Sequence, residues 1–228
     1  MLATGNRNVM ILIRRGNPKV SAYFRVVSTG AVRHPASGHL CRAVRQKQWR
    51  PRADGGMLLV VIEMRVLTSD DWPIWRELRL AALADAPYAF GSRLADWQGE
   101  GDRSERWRAR LEIPGSYNLV AVLDGRPVGM ASGVPTDDRG VVELISMWVD
   151  PAARGRGVAD HLLAAVERWA EQVGADVLKL AVAEGNDAAA AVYRRNGFRL
   201  TAELGDLMPD GVRREQIMAK SLGTSPDR

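Results

Sequence analysis

Val141-Val142-Glu143-Leu144-Ile145-Ser146-Met147-Trp148-Val149 is an apolar, β-branched run, and from Val158 onward Leu162, Val166, Trp169 and Val173 fall on one helical stripe. Between them lies Asp150-Pro151-Ala152-Ala153-Arg154-Gly155-Arg156-Gly157. A buried strand followed at once by an amphipathic helix commits this part of the chain to a strand-turn-helix unit. Glycines at 155 and 157 let backbone N–H groups approach a ligand closely, the helix N-terminus adds partial positive charge, and Arg154 and Arg156 add full charges. Such a turn suits a pyrophosphate. It is neither of the two common nucleotide loops: Asp160 stands where the dinucleotide fingerprint needs its third glycine, and the Lys-Ser/Thr pair of the P-loop is missing.

The surrounding sequence supplies the other elements of one α/β domain. Met57 to Leu67 reads as a strand, Thr68-Ser69-Asp70-Asp71 as N-cap chemistry, and Trp75, Leu78 and Ala82 as a helix that Asp85-Ala86-Pro87 ends. Ser104 is expected to cap a second helix, 105–112. Asp124-Gly125 joins strands 118–123 and 127–134 as a hairpin, because Asp-Gly suits a primed turn with positive φ at both central residues. A helix over 155–173 with Gly174 at C′, a strand over 177–182, a short Ala-rich helix over 187–195 and strands over 198–204 and 214–220 complete the order βααβββαβαββ. Hairpins followed by strand-helix alternation predict a mixed sheet.

Charge divides the chain in two. Residues 1–56 hold eleven Lys and Arg against one acid, Asp54, so the pI near 9.8 belongs to this segment, while the remainder carries a net −5. The acidic body gives no support to phosphate-backbone binding, and nucleic acid is not the partner expected for it. The basic run Arg42 to Arg52, with Trp49 inside it, leaves open an arm that touches nucleic acid. The plainer reading is a basic extension, mobile or not native. No window has the roughly 18 uninterrupted apolar residues of a membrane span, and Cys41 as the lone cysteine excludes an internal disulfide and favours the cytoplasm.

A second constellation follows the first. Asn186 precedes the Ala-rich helix, Tyr193 lies seven residues on and therefore about two turns along nearly the same face, and Asn196-Gly197-Phe198 closes the segment. An Asn cap and a helix tyrosine are commonly structural when taken singly. In this order, Val149-x-Pro151, Arg154-x-x-Gly157-x-Ala159, Asn186, Tyr193 and Gly197-Phe198 resemble the GNAT N-acetyltransferase superfamily over about residues 64–220. Met64-Arg65-Val66-Leu67-Thr68-x-x-Asp71, Leu78-Arg79-Leu80-x-Ala82-Leu83 and Ala86-x-x-Ala89-Phe90-Gly91-Ser92 are similar to bacterial members.

The resemblance implies acetyl-CoA as cofactor and direct transfer to a primary amine, on a small molecule or a protein. It implies a GNAT-like single domain over 57–222, ahead of a short tail at 223–228, with a roughly seven-stranded mixed sheet, about four helices, and strands Val141–Val149 and Val177–Val182 splayed to admit the cofactor. By the same resemblance, backbone groups of Met147 and Val149, flanking Trp148, would pair with the pantetheine arm, and the Met147 amide would face the thioester oxygen where negative charge develops. Amides from Arg154, Gly155, Arg156, Gly157, Val158 and Ala159 would hold the pyrophosphate. Asn186 would bond further along the arm. Tyr193 corresponds to the family's general acid, and Glu143 to a carboxylate that serves some relatives as general base.

Other chemistries find little to use. His161, beside Leu162, is a surface or packing residue by position; His34, His39 and Cys41 lack a fourth ligand, so no metal site is expected. An alternative from another class is a non-catalytic acyl-CoA-binding or sensor module with a basic nucleic-acid-contacting arm. Nothing in the sequence sets the oligomeric state, although homodimers are common in the family it resembles.

Overall fold

The structure is a computed structural model. It describes the backbone of residues 9–10, 25–33, 40–51 and 57–223, and side chains from Val61 to Gly223. The expected mobile extension falls largely outside the described residues, as does most of the expected tail. Within 1–56, strands β1 (Val9–Met10), β2 (Arg25–Arg33) and β3 (Leu40–Pro51) are described, and β3 pairs antiparallel with β4 (Met57–Val66).

From β4 onward the element order is the expected one. Helices α1 (Trp72–Asp85) and α2 (Ser104–Leu111) precede strands β5 (Tyr117–Leu123), β6 (Arg126–Pro135) and β7 (Val141–Val149). Then come α3 (Val158–Gln172), β8 (Val177–Ala183), α4 (Asp187–Arg195), β9 (Arg199–Leu207) and β10 (Arg214–Ser221). Seven strands in the order β4-β5-β6-β7-β8-β10-β9 form the mixed sheet of this body, with β7 and β8 parallel and the other neighbours antiparallel.

Strand alternation assigns each residue to a layer. Leu119, Ala121 and Leu123 of β5 join Ile62, Met64, Val142 and Leu144 under α3, whose Leu162, Leu163, Val166 and Ala170 fill that side. Val120 and Val122 turn the other way, with Met130 and Trp148, against Trp75, Leu78 and Ala82 of α1 and Trp107 and Leu111 of α2. Both faces of β5 are therefore covered. Trp169 stacks on Tyr117 with ring centroids 5.6 Å apart. A Cβ at Gly133 would stand 2.3 Å from Trp169 Cζ3, so the glycine is what lets α3 approach β6 so closely.

Local chemistry accounts for the boundaries. Asp124 at φ 51° and Gly125 at φ 80° form the expected primed turn. Thr68 and Asp71 make a capping box around a 3-10 turn, Ser69–Asp71, from which α1 continues. Two expectations need correction. The N-cap of α2 is Arg103, and Ser104 is already helical, its hydroxyl donating to Glu105 Oε1. Helix α3 starts at Val158 and not at Gly155, because Gly155 at φ 72° and Gly157 at φ 81° are left-handed and cannot belong to a right-handed helix.

Candidate active site

The parallel pair β7 and β8 is joined only from Val141↔Val177 to Leu144↔Leu180, after which the strands diverge. This is the splay expected between Val141–Val149 and Val177–Val182. On the other side of β7 the register with β6 slips by one residue: Ser132 opposes Ile145 while Met130 opposes Trp148. Ser146 and Met147 thus share the place opposite Ala131, and Ser146 adopts φ 55°. A non-glycine residue in that region costs about 1 kcal/mol or more and persists where neighbours hold it. Here Arg110 Nη2 donates to Ser146 Oγ at 3.2 Å. The bulge re-aims Met147 where β7 has lost β8 as a neighbour.

A cleft of about 530 Å³ opens at this divergence. Met147, Trp148, Val149, Arg154, Gly155, Gly157, Val158, Ala159, Asn186 and Tyr193 all line it; of the sequence-derived cofactor residues only Arg156 does not. Gly157, left-handed, is the N-cap of α3, and the amides of that helix's first turn have no intrahelical acceptor. Amides and a dipole aimed at one end of the cleft suit a pyrophosphate, and a strand edge without a neighbour suits an arm bearing amide groups. The residues present therefore fit acetyl-CoA.

The two loop arginines are less free than the sequence suggests. Arg154 pairs with Asp85 through Nη2, and its Nε donates to the Val149 carbonyl at 3.1 Å. Arg156 reaches Asp124 at 3.3 Å from outside the cleft. The charge of each loop arginine is therefore partly offset by an aspartate. Asp85 was not legible as a site residue, although a carboxylate in the last turn of a helix opposes the dipole and is a usable signal. Its Oδ2 also accepts from Trp148 Nε1 at 3.0 Å, and these partners hold its carboxyl below the usual range, the indole first and the guanidinium after it.

Asn186 caps α4 and lines the cleft: its Oδ1 accepts from the Ala189 amide at 3.3 Å, and its Nδ2 makes no hydrogen bond among the described residues. Tyr193 is 7% exposed and packs edge-on against Phe198 at 6.0 Å. Burial pushes its phenol up to about 12, so it carries its proton throughout the neutral range. His161 sits on the first turn of α3, its Nδ1 2.7 Å from the Gly157 carbonyl oxygen.

Glu143 does not line the cleft. It is half-buried on β7 beside Lys179 of β8, one residue before the strands part, on the face opposite Val142 and Leu144. Desolvation raises its carboxyl, Asp206 and Glu203 add to the rise, and Lys179 opposes it. Glu215 of β10 is raised likewise by burial, with Asp206 and Glu143 contributing. Among the described residues no group of three or more His, Cys, Asp or Glu could hold a metal ion, and no helix is long and apolar enough to cross a membrane.

Known proteins share this fold. The model of the acetyltransferase (GNAT) family matches residues 74–198. The N-acetylaspartate synthetase of Rattus norvegicus is 36% identical over 89 residues, which are 39% of this chain and 30% of that protein, so the chain spans under a third of that relative's length. A ribosomal-protein-alanine N-acetyltransferase from Brucella melitensis superposes with TM-score 0.54 at 28% identity, covering 70% of this chain and 99% of that one. The PaiA N-acetyltransferase of Thermoplasma acidophilum, solved in complex with coenzyme A, shares the fold with TM-score 0.57 at 19% identity, over 70% of this chain and 98% of its own.

Proposed function

The chain belongs to the acetyltransferase (GNAT) family, and from that premise we propose that it moves the acetyl group of acetyl-CoA directly to a primary amine, on a small molecule or a protein. The observation that carries this reading is the cleft where β7 leaves β8, with the glycine turn of α3 at one end and Tyr193 in its wall. Dimers are the assembly we expect and the cytoplasm the compartment.

Bound acetyl-CoA supplies the acetyl group as a thioester, whose carbon is open to an amine. The protein's residues prepare both partners. An alkylammonium has a pKa of about 10.4 and must lose a proton before it can attack; Glu143 takes that proton, directly or through water, and its raised pKa makes it a better base than an ordinary carboxylate. The Met147 amide donates to the acyl oxygen as negative charge grows there. As the N–C bond forms and the C–S bond breaks, Tyr193 donates to the departing sulfur. A thiol of pKa about 8.5 leaves readily in water, so this help is modest unless burial raises the thiolate as it raises the phenol. Two protons leave the nitrogen in all: one ends on the sulfur by way of Tyr193, the other reaches solvent through Glu143.

Isothermal titration of acetyl-CoA into the full-length protein, followed by free-thiol release across a panel of amines, tests the proposal. Binding with amine-dependent thiol release is expected. Binding without release from any amine would favour the sensor module, and no binding would overturn the reading of the cleft.

A further inference from the structure

Arg79 of α1 and Arg110 of α2 lie near one another in the layer between the helices and the sheet. Arg79 is 9% exposed, and its Nη1 is buried without a hydrogen-bond partner. Trp75, one turn earlier on the same helix, is wholly buried with its Nε1 likewise unpartnered. The Arg110 guanidinium stands 5.1 Å from the Trp75 ring centroid and donates to Asn118 Oδ1, Ser132 Oγ and Ser146 Oγ, all neutral acceptors. Among the described residues no carboxylate pairs with either arginine. Burial lowers both guanidiniums to about 10, and the charge of Arg110 adds to the effect on Arg79.

Buried charges are ordinarily paired, and buried donors ordinarily have acceptors. This layer departs from both rules in one direction: it holds surplus donors and surplus positive charge, and what it lacks is acceptor oxygens and negative charge. A carboxylate supplies both, in the fork geometry guanidinium accepts. The place adjoins the cleft on two sides. Arg79 lies 4.6 Å over the centroid of Phe90, which lines the cleft, and Arg110 holds Ser146, the neighbour of Met147. Displacement of the Phe90 ring would open the guanidinium to the cleft. Beyond Phe90 the sign of the charge reverses, since a Cβ at Gly91 would stand 3.9 Å from Glu215 Oε1, and Glu143 acts on Glu215 electrostatically.

We propose that the acceptor is a free amino acid, its carboxylate received between Arg79 and Arg110 and its amine directed toward Glu143 and the acetyl group. This rests on the acetyl-transfer reading of the cleft. The arginines would position the acceptor and discriminate against plain alkylamines, whose hydrocarbon would leave the donors of Trp75 and Arg79 unanswered.

The test uses full-length protein loaded with coenzyme A, so that nothing turns over. Each standard L-amino acid and its α-carboxamide is titrated calorimetrically. At least one amino acid is expected to bind tenfold or more tightly than its carboxamide. R79M is expected to erase that preference while coenzyme A affinity stays within twofold, and R110M is expected to erase it as well. Absence of any carboxylate preference overturns the proposal even if neither variant folds. So does a preference that survives in both variants, and so does a fall in melting temperature with the preference intact, which would mark the arginines as packing residues. Failure of coenzyme A to bind at all overturns the acetyl-transfer reading, and this inference with it.

Discussion

Trp148 donates its indole proton to Asp85 across 3.0 Å, tying the last residue of α1 to the strand that carries Met147. Because the same carboxylate oxygen also takes Arg154, the α1 terminus, β7 and the glycine turn share one acceptor. Asp85→Ala removes it for both donors, and acetyl-CoA affinity is expected to fall about fivefold to tenfold, corresponding to about 1 kcal/mol for a lost hydrogen-bonded contact. Asp85→Asn keeps an oxygen for the indole and should lose less. Calorimetric titration of the two variants measures the difference.

Tyr193→Phe removes the hydroxyl and little else, since the ring packs on Phe198 and its oxygen makes no hydrogen bond within the described residues. We expect kcat to fall about tenfold to a hundredfold, at or below the low end for general acid catalysis because thiolate is a fair leaving group. Acetyl-CoA affinity should stay within twofold. A steady-state rate equal to the native one would remove Tyr193 from the chemistry.

Glu143→Gln has two expected effects of opposite sign. With Glu143 as the proposed base, kcat/KM in the native protein is expected to drop as pH falls through its raised pKa, and the variant to lose that acid limb along with at least tenfold of rate at neutral pH. For stability, a carboxylate raised in the folded state stabilises the fold at pH values below its unfolded pKa of about 4.3, and this contribution is lost as pH rises through the folded value. The variant should therefore melt higher than the native protein near pH 7 and lose that advantage near pH 4. Thermal melts across pH, paired with rate profiles, read both.

Removal of residues 1–56 is expected to leave acetyl-CoA affinity within twofold. The Brucella melitensis enzyme is matched over 99% of its length by 70% of this chain, and the whole cleft is built from residues after Ala86 together with Ala86 itself. Titration of the truncated protein checks this, and an unfolded product would show that the pairing of β3 with β4 is required for the fold.

Local pattern carried most of the architecture. Asp124-Gly125, the stripe from Val158 to Trp169 and the left-handed Gly174 after α3 are each set by neighbours a few residues away, so they can be read from the chain directly, whereas Val173, placed on the same stripe, is the exposed C-cap. The parting of β7 from β8 came from the resemblance and not from any local signal. Contacts between distant segments had no such signature. Asp85 meets Trp148 across 63 positions, and Arg110 meets Ser146 across 36. Nothing local marks Arg79, next to Leu78 on α1, as buried, and only the packed layer of α1 against Phe90 shows it sealed. The pairing of Arg154 and Arg156 with aspartates on other elements has no local signature either, and for that reason the loop reads as more positive in sequence than it is in place.

Since β7 and β8 touch over only four residue pairs, the sheet behaves as two wings sharing a short seam: β4 to β7 on one side, β8 to β10 on the other. The width of the gap between the wings is governed from beneath, by how Leu178 and Leu180 of one wing and Val142 and Leu144 of the other seat against α3. Volume changes at those buried leucines, far from any reacting atom, would therefore adjust how far apart the wings stand and so the fit of anything held between them.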